Sequence, residues 1–164
     1  ILSEDAVEYQ IISEAWSSIG TKEKDGSYVM RSVVPPYINL TTGKLRGMVN
    51  AAYLTDKSCA ECYNVTLHKQ ILGDGGMGVK FEKEETFDVS DARGKELAEK
   101  YNITKVPTII VSNELSAYPS SSGLAQFFSV EKDGSYIFRS LEAVGTYRDL
   151  TSNSVVKAQE QALQ

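Results

Sequence analysis

Residues 49–62 read Val-Asn-Ala-Ala-Tyr-Leu-Thr-Asp-Lys-Ser-Cys-Ala-Glu-Cys. Residues 49–54 have the composition of a buried strand. Thr55, Asp56, Lys57 and Ser58 form a polar turn, with Ser58 placed as a helix N-cap. The spacing then predicts a helix from about Cys59 to Leu72, with Val65, Leu67, His68, Ile71 and Leu72 as its apolar stripe. Cys59 and Cys62 are the chain's two cysteines. A disulfide scaffold spreads its cysteines to close long loops. A CxxC pair on a first helical turn instead puts both sulfurs on one side. There the first thiol meets the helix N-terminus, whose dipole and free N–H groups favour thiolate. The second is near enough to resolve a mixed disulfide. On this reading Cys59 is the exposed, reactive sulfur and Cys62 the resolving one.

The flanking segments extend the pattern. A second strand is expected near Val79–Val89. Ser90-Asp91 opens a helix that runs through Leu97-Ala98-Glu99-Lys100-Tyr101 and stops at Asn102, a suitable residue just past a helix end. Residues 103–111, Ile-Thr-Lys-Val-Pro-Thr-Ile-Ile-Val, form a third strand. The order β-α-β-α-β is that of an α/β domain with parallel strands. Pro107 heads an apolar strand, where a trans proline is out of place. A cis X–Pro bond is nevertheless the minority form, so composition alone predicts trans.

Taken together, the CxxC pair at a strand-to-helix junction, Asp88-Val89-Ser90-Asp91, the run 97–103 and Val106-Pro107-Thr108 resemble the thioredoxin-like superfamily. The resemblance covers roughly residues 48–112. It implies a central mixed sheet flanked by helices. It also implies a cis Val106–Pro107 bond beside the cysteines, with Val106 and Pro107 lining the cleft that binds a peptide thiol or disulfide. No cofactor beyond the dithiol is implied.

The departures from that superfamily are specific. Ala60-Glu61 replaces Gly-Pro between the cysteines, Ser58 replaces a tryptophan, and Tyr53 stands where a buried acid is found. Glu61 places a negative charge near the sulfurs, which disfavours thiolate. Lys57, if turned inward, offsets it. A closed zinc site needs about four ligands. Here His68 is the one histidine, and it is six residues from Cys62, on another helix face. No metal site is expected within one chain; a soft metal shared across a dimer is a remote third reading. His68 itself reads as a packed helix residue. Gly73-Asp74-Gly75-Gly76-Met77-Gly78 matches GxGxxG but has a helix before it and a strand after, the reverse of a dinucleotide-binding turn. It reads as a loop. Glu82–Glu85 reads as a solvated strand face.

The chain also repeats itself. Residues 23–32 are Glu-Lys-Asp-Gly-Ser-Tyr-Val-Met-Arg-Ser and residues 131–140 are Glu-Lys-Asp-Gly-Ser-Tyr-Ile-Phe-Arg-Ser. Tyr37-Ile38-Asn39-Leu40-Thr41-Thr42 is echoed by Tyr147-Arg148-Asp149-Leu150-Thr151-Ser152. Helical-looking segments, Asp5–Ser18 and Ser121–Phe128, precede the two copies. Strands are expected over 27–34 and 135–142. The spacing of 108 to 110 residues matches one thioredoxin-like unit and suggests descent from a tandem array. Residues 1–48 are then a partial repeat, homologous to about 115–164, and residues 49–164 the complete domain. The partial repeat is expected to bury Val29, Val33 and Val34 against the complete unit or in a homodimer.

At 164 residues, with 41% hydrophobic and 24% charged residues, one core is easily built. A net charge of −5 argues against nucleic acid and anionic membrane as partners. The chain starts at Ile1 rather than Met, which suggests a removed signal peptide or upstream membrane anchor, and with it an extracytoplasmic or cell-envelope location. The preferred function is thiol–disulfide exchange through Cys59 and Cys62 on a protein or peptide substrate. The reading from another class is a non-catalytic interaction or assembly module. Exposure of Cys59 favours the first, and a covered pair the second.

Overall fold

A computed structural model of the chain describes residue 2 and residues 10–30 and 33–158. Its elements begin with α1 (Gln10–Ile19), β1 (Thr21–Lys22), β2 (Tyr28–Val29), β3 (Tyr37–Ile38) and β4 (Leu45–Arg46). The next group is β5 (Met48–Thr55), α2 (Leu67–Leu72), β6 (Lys80–Asp88), α3 (Ala92–Lys100), β7 (Lys105–Val106) and β8 (Thr108–Val111). Two short 3₁₀ helices, Asn113–Ala117 and Pro119–Gln126, lead to β9 (Phe128–Val130) and β10 (Tyr136–Phe138). A third, Leu141–Ala143, precedes β11 (Tyr147–Asp149) and β12 (Ser154–Val156).

The centre is a five-stranded mixed sheet in the order β6–β5–β8–β10–β9. β5 lies inside it because its side chains can be buried on both faces. Val49, Ala51 and Tyr53 join Ile109 and Val111 on one side, packed with Leu72, Leu115 and Leu124. Leu54 joins Ile110 and Ile137 on the other, covered by Leu97 and Tyr101 of α3 and its end. Leu54, Ile109 and Ile137 are fully buried, each contributing roughly 1.5–3 kcal/mol of apolar transfer. β6 is the edge, and its Lys and Glu side chains face solvent, which protects an exposed strand from pairing with other chains. α3 ends where expected: Asn102 takes φ 48, and the Ile103 N–H returns to the Ala98 carbonyl at 2.8 Å.

Three sequence expectations change. Among the described residues only β5 and β6 are parallel; β8 runs antiparallel to β5. The helix expected from Cys59 begins only at Leu67. Residues 59–66 are turns because polar side chains compete for the backbone there. Asn64 Oδ1 accepts from the Thr66 N–H at 3.0 Å and the Thr66 hydroxyl at 2.8 Å. Ser58 caps no helix; its N–H and hydroxyl both bond to Asp56 Oδ1, at 2.8 and 2.6 Å. The strands expected over 27–34 and 135–142 shrink to β2 and β10. Of the first, residues 31–32 lie outside the described residues, as do 5–9 of the expected N-terminal helix.

The two similar stretches take the same local structure. β1 and β2 pair as Thr21↔Val29 and Lys22↔Tyr28; β9 and β10 pair as Ser129↔Ile137 and Val130↔Tyr136. In the turns, Asp25 Oδ1 accepts the Ser27 N–H, and Asp133 Oδ1 the Ser135 N–H, both at 3.0 Å. Gly26 and Gly134 supply the positive φ, 86° and 80°. Further on, Tyr37↔Arg46 and Ile38↔Leu45 match Tyr147↔Val156 and Arg148↔Val155.

Candidate functional site

Cys59 and Cys62 are joined in a disulfide at the C-terminal end of β5, the strand inside the sheet. Two carboxylates fix the approach to it. Asp56 organises the turn through Ser58, and its backbone carbonyl accepts the Cys59 N–H at 3.0 Å. Asp88, buried at the end of β6, accepts the Lys57 N–H at 2.6 Å and both the N–H and hydroxyl of Ser90. Burial alone would raise the Asp88 carboxyl, but the hydrogen bonds from Ser90 and Lys57 hold it below its ordinary value. Asp56 also meets Arg148 Nε of β11 at 2.9 Å, an ion contact in which the N–H is not aligned as a hydrogen bond.

The relative exposure of the sulfur-bearing residues is the reverse of the expectation. Cys59 is 8% exposed, and Cys62 is half-buried. The cause is the missing helical turn: Cys59 sits under the Asp56 turn, eight residues before α2 begins. No helix dipole acts at its sulfur, so that reason for a favoured Cys59 thiolate is removed.

Val106 and Pro107 do come to this turn. The Val106–Pro107 bond is cis. β7 pairs with β11, Val106 opposite Arg148, the residue that reaches Asp56. From the cysteine side, Tyr63 donates its hydroxyl hydrogen to the Pro107 carbonyl at 2.6 Å. His68 Nε2 lies 2.9 Å from the same hydroxyl oxygen. A phenol has one hydrogen, so His68 must be the donor, with its proton on Nε2. Burial pulls the His68 pKa from 6.5 down to about 4, and burial raises the Tyr63 phenol. Both are therefore neutral near pH 7. The Phe138 ring closes over His68 at 4.6 Å between centroids. The Tyr63 N–H is held by the Thr146 carbonyl at 2.9 Å.

The other sequence candidates lie on the periphery. Glu61 is exposed and pairs with Lys157 at 3.1 Å. Lys57 Nζ does not turn inward; it is exposed, 3.6 Å from Asp91. Tyr53 is buried, and its hydroxyl donates to Glu84 at 2.9 Å. Burial first, and then that bond, raise its phenol. Tyr63, Asp56, Asp88 and Arg148 were given no site role from the sequence. The signals were the place of Tyr63 next to Cys62, of Asp56 in the turn before Cys59, and of Asp88 in the motif that carries the resemblance. Arg148 and Asp88 arrive from distant strands.

No protein family matches the chain, and neither do curated proteins or solved structures. What stands on the geometry is a mixed α/β fold bearing a CxxC disulfide, an arrangement consistent with a redox role.

Proposed function

We propose that this chain is a thioredoxin-like thiol–disulfide exchange domain acting on protein or peptide thiols. The observation that carries the reading is the Tyr63 hydrogen bond to Pro107, which ties the proline loop to the CxxC turn. The strand order supports it: a parallel pair β5–β6, then β8 and β10 antiparallel beside β5, with helices on both faces.

The exchange follows from the exposure order. A substrate thiolate attacks the sulfur of Cys62, the more exposed residue of the two. The Cys59–Cys62 bond breaks and Cys59 leaves as thiolate, to be protonated by solvent. A second substrate thiol, losing its proton, attacks the substrate sulfur of the mixed disulfide. Cys62 is released as thiolate and protonated in turn. Two electrons pass from substrate to the pair, and two protons follow. In the reducing direction Cys62 attacks and Cys59 resolves, which exchanges the roles assigned from spacing alone.

Reduction of a protein disulfide by the dithiothreitol-reduced chain tests this. Turnover is expected, with Cys59→Ser accumulating a mixed disulfide through Cys62 and Cys62→Ser accumulating none. Trapping through Cys59 instead would overturn the assignment of roles. The burial of Cys59 favours one other reading, a disulfide that staples a binding module. Under it, reduction lowers the melting temperature and neither wild type nor variant turns over substrate.

A further inference from the structure

The N-terminal stretch presents a surface that is more exposed than its counterpart in the C-terminal half. There β10 is held by β8, with Tyr136 opposite Val111 and Ile137 opposite Ile110. α2 lies over the same hairpin, bringing His68 against Phe138. Phe138 is 6% exposed; Met30, its counterpart 108 residues earlier, is 46% exposed. Ile19 is 56% exposed, against 38% for its counterpart Phe127. Both positions carry large apolar side chains, and among the described residues no helix covers them as α2 covers Phe138.

The strand edge carries the same signature. Tyr28 exchanges two backbone hydrogen bonds with Leu2, at 2.9 and 3.1 Å, in an antiparallel bridge. Leu2 stands 109 residues before Val111, the residue opposite Tyr136. Leu2 therefore occupies the register position of the last residue of β8. The sequence agrees: Ile1-Leu2-Ser3 parallels Ile110-Val111-Ser112, and Tyr9 parallels Tyr118.

We infer that β2, Met30 and Ile19 form a docking surface for a half-unit of the same kind as residues 48–110. Its last strand would run antiparallel along β2 in register with Leu2. Its helix would cover Met30 and Ile19 as α2 covers Phe138. The occupant is an additional half-unit rather than one lent by a second copy. In any copy, residues 48–111 already pack against that copy's own Leu115, Leu124, Phe128 and Phe138. The inference is independent of the redox reading and needs no active cysteine.

The test appends residues 48–110, with both cysteines changed to serine, directly before Leu2 of the whole chain. Hydrogen exchange at Met30, whose amide shares the strand edge on which Tyr28 meets Leu2, and peroxide oxidation of Met30 are then read by mass spectrometry. The expected result is at least tenfold slower Met30 oxidation than in the parent, with the Met30 amide newly protected, and reversal of both by Ile19→Asp in the fusion. A fusion with the appended segment shuffled should behave as the parent. If the appended domain fails to fold, a shorter extension, residues 104–110 before Leu2, should still protect the Met30 amide. Unchanged oxidation in the full fusion together with an unprotected Met30 amide in both extensions would overturn the inference. So would a parent chain whose Met30 is already protected in a concentration-dependent dimer, which would assign the surface to a second copy.

Discussion

One hydroxyl, that of Tyr63, links the cysteine turn, the proline loop and the core. It gives its hydrogen to Pro107 and takes one from His68, so Tyr63→Phe strands two buried groups at once. An unsatisfied buried group costs about 1–3 kcal/mol, and urea unfolding should show a loss of that size. His68 adds a pH dependence with a definite sign. Its folded pKa is about 4, whereas an unfolded histidine protonates near 6.5. The stability it contributes is therefore complete above about pH 6.5 and is lost as the pH falls towards 4, roughly 3 kcal/mol in all. His68→Gln keeps a donor for Tyr63 and does not titrate. Urea midpoints measured from pH 7 to 4.5 should fall more steeply in the wild type than in this variant; parallel curves would mean that His68 is already charged in the fold. Glu61 yields a small effect. It is exposed and faces Lys157, so Glu61→Gln should change the equilibrium constant of the pair with glutathione by less than about twofold.

Among the elements, strands and α3 were legible because their signals are local. β5 and β8 are dense in buried side chains, and Asn102 marks a helix end by its own tolerance of positive φ. The segment from Cys59 to Thr66 was not legible as turns. Its apolar spacing suits a helix, yet Asn64 and Thr66 bond locally and the Tyr63 N–H is taken by Thr146 from another part of the chain. Only the last of these lies beyond local sequence, and it decides the path after Cys62. The site depends on α3 through Gly94, whose missing side chain lets the helix start against β6. A Cβ there would stand 1.8 Å from the Asp88 carbonyl oxygen, so Gly94→Ala must move backbone. A loss of about 1–3 kcal/mol is expected. The same change should loosen the Lys57 amide that Asp88 accepts, visible as faster hydrogen exchange there. Gly123→Ala meets nothing within 4 Å and should leave both measurements unchanged. Equal effects from the two would show that α3 can shift without disturbing the site.

At the scale of the molecule, the repeat was legible from identity alone, but its burial was not, because burial depends on what lies opposite. Among the described residues, seven of the twelve large hydrophobics that remain exposed, from Ile19 to Leu45, belong to the N-terminal stretch. Val34 is 79% exposed in the single chain, so the complete unit does not cover it. Residues from Pro35 onward behave differently. Pro35 lies against Gly47, Arg46 pairs with Glu114 at 2.9 Å, and the Tyr118 hydroxyl donates to the Gly47 carbonyl at 2.8 Å. A cut should therefore fall before Pro35, not at residue 48. Removing residues 1–34 deletes Ile19, Met30, Val33 and Val34 while keeping the contacts that anchor β4 and Gly47. Fluorescence of a hydrophobic dye bound to the folded protein should fall, solubility should rise, and the urea midpoint should move little. The equilibrium of the cysteine pair with glutathione should be unchanged, since the groups that fix the pair lie at residues 56–68, 88–90, 106–107 and 146–148. Removing residues 1–47 takes away Arg46 and Gly47 and leaves the Glu114 carboxylate and the Tyr118 hydroxyl without those partners, so that variant should unfold at lower urea. If the shorter cut destabilised the protein as much as the longer one, the exposed N-terminal side chains would be holding the fold together, and the boundary drawn at Pro35 would be wrong.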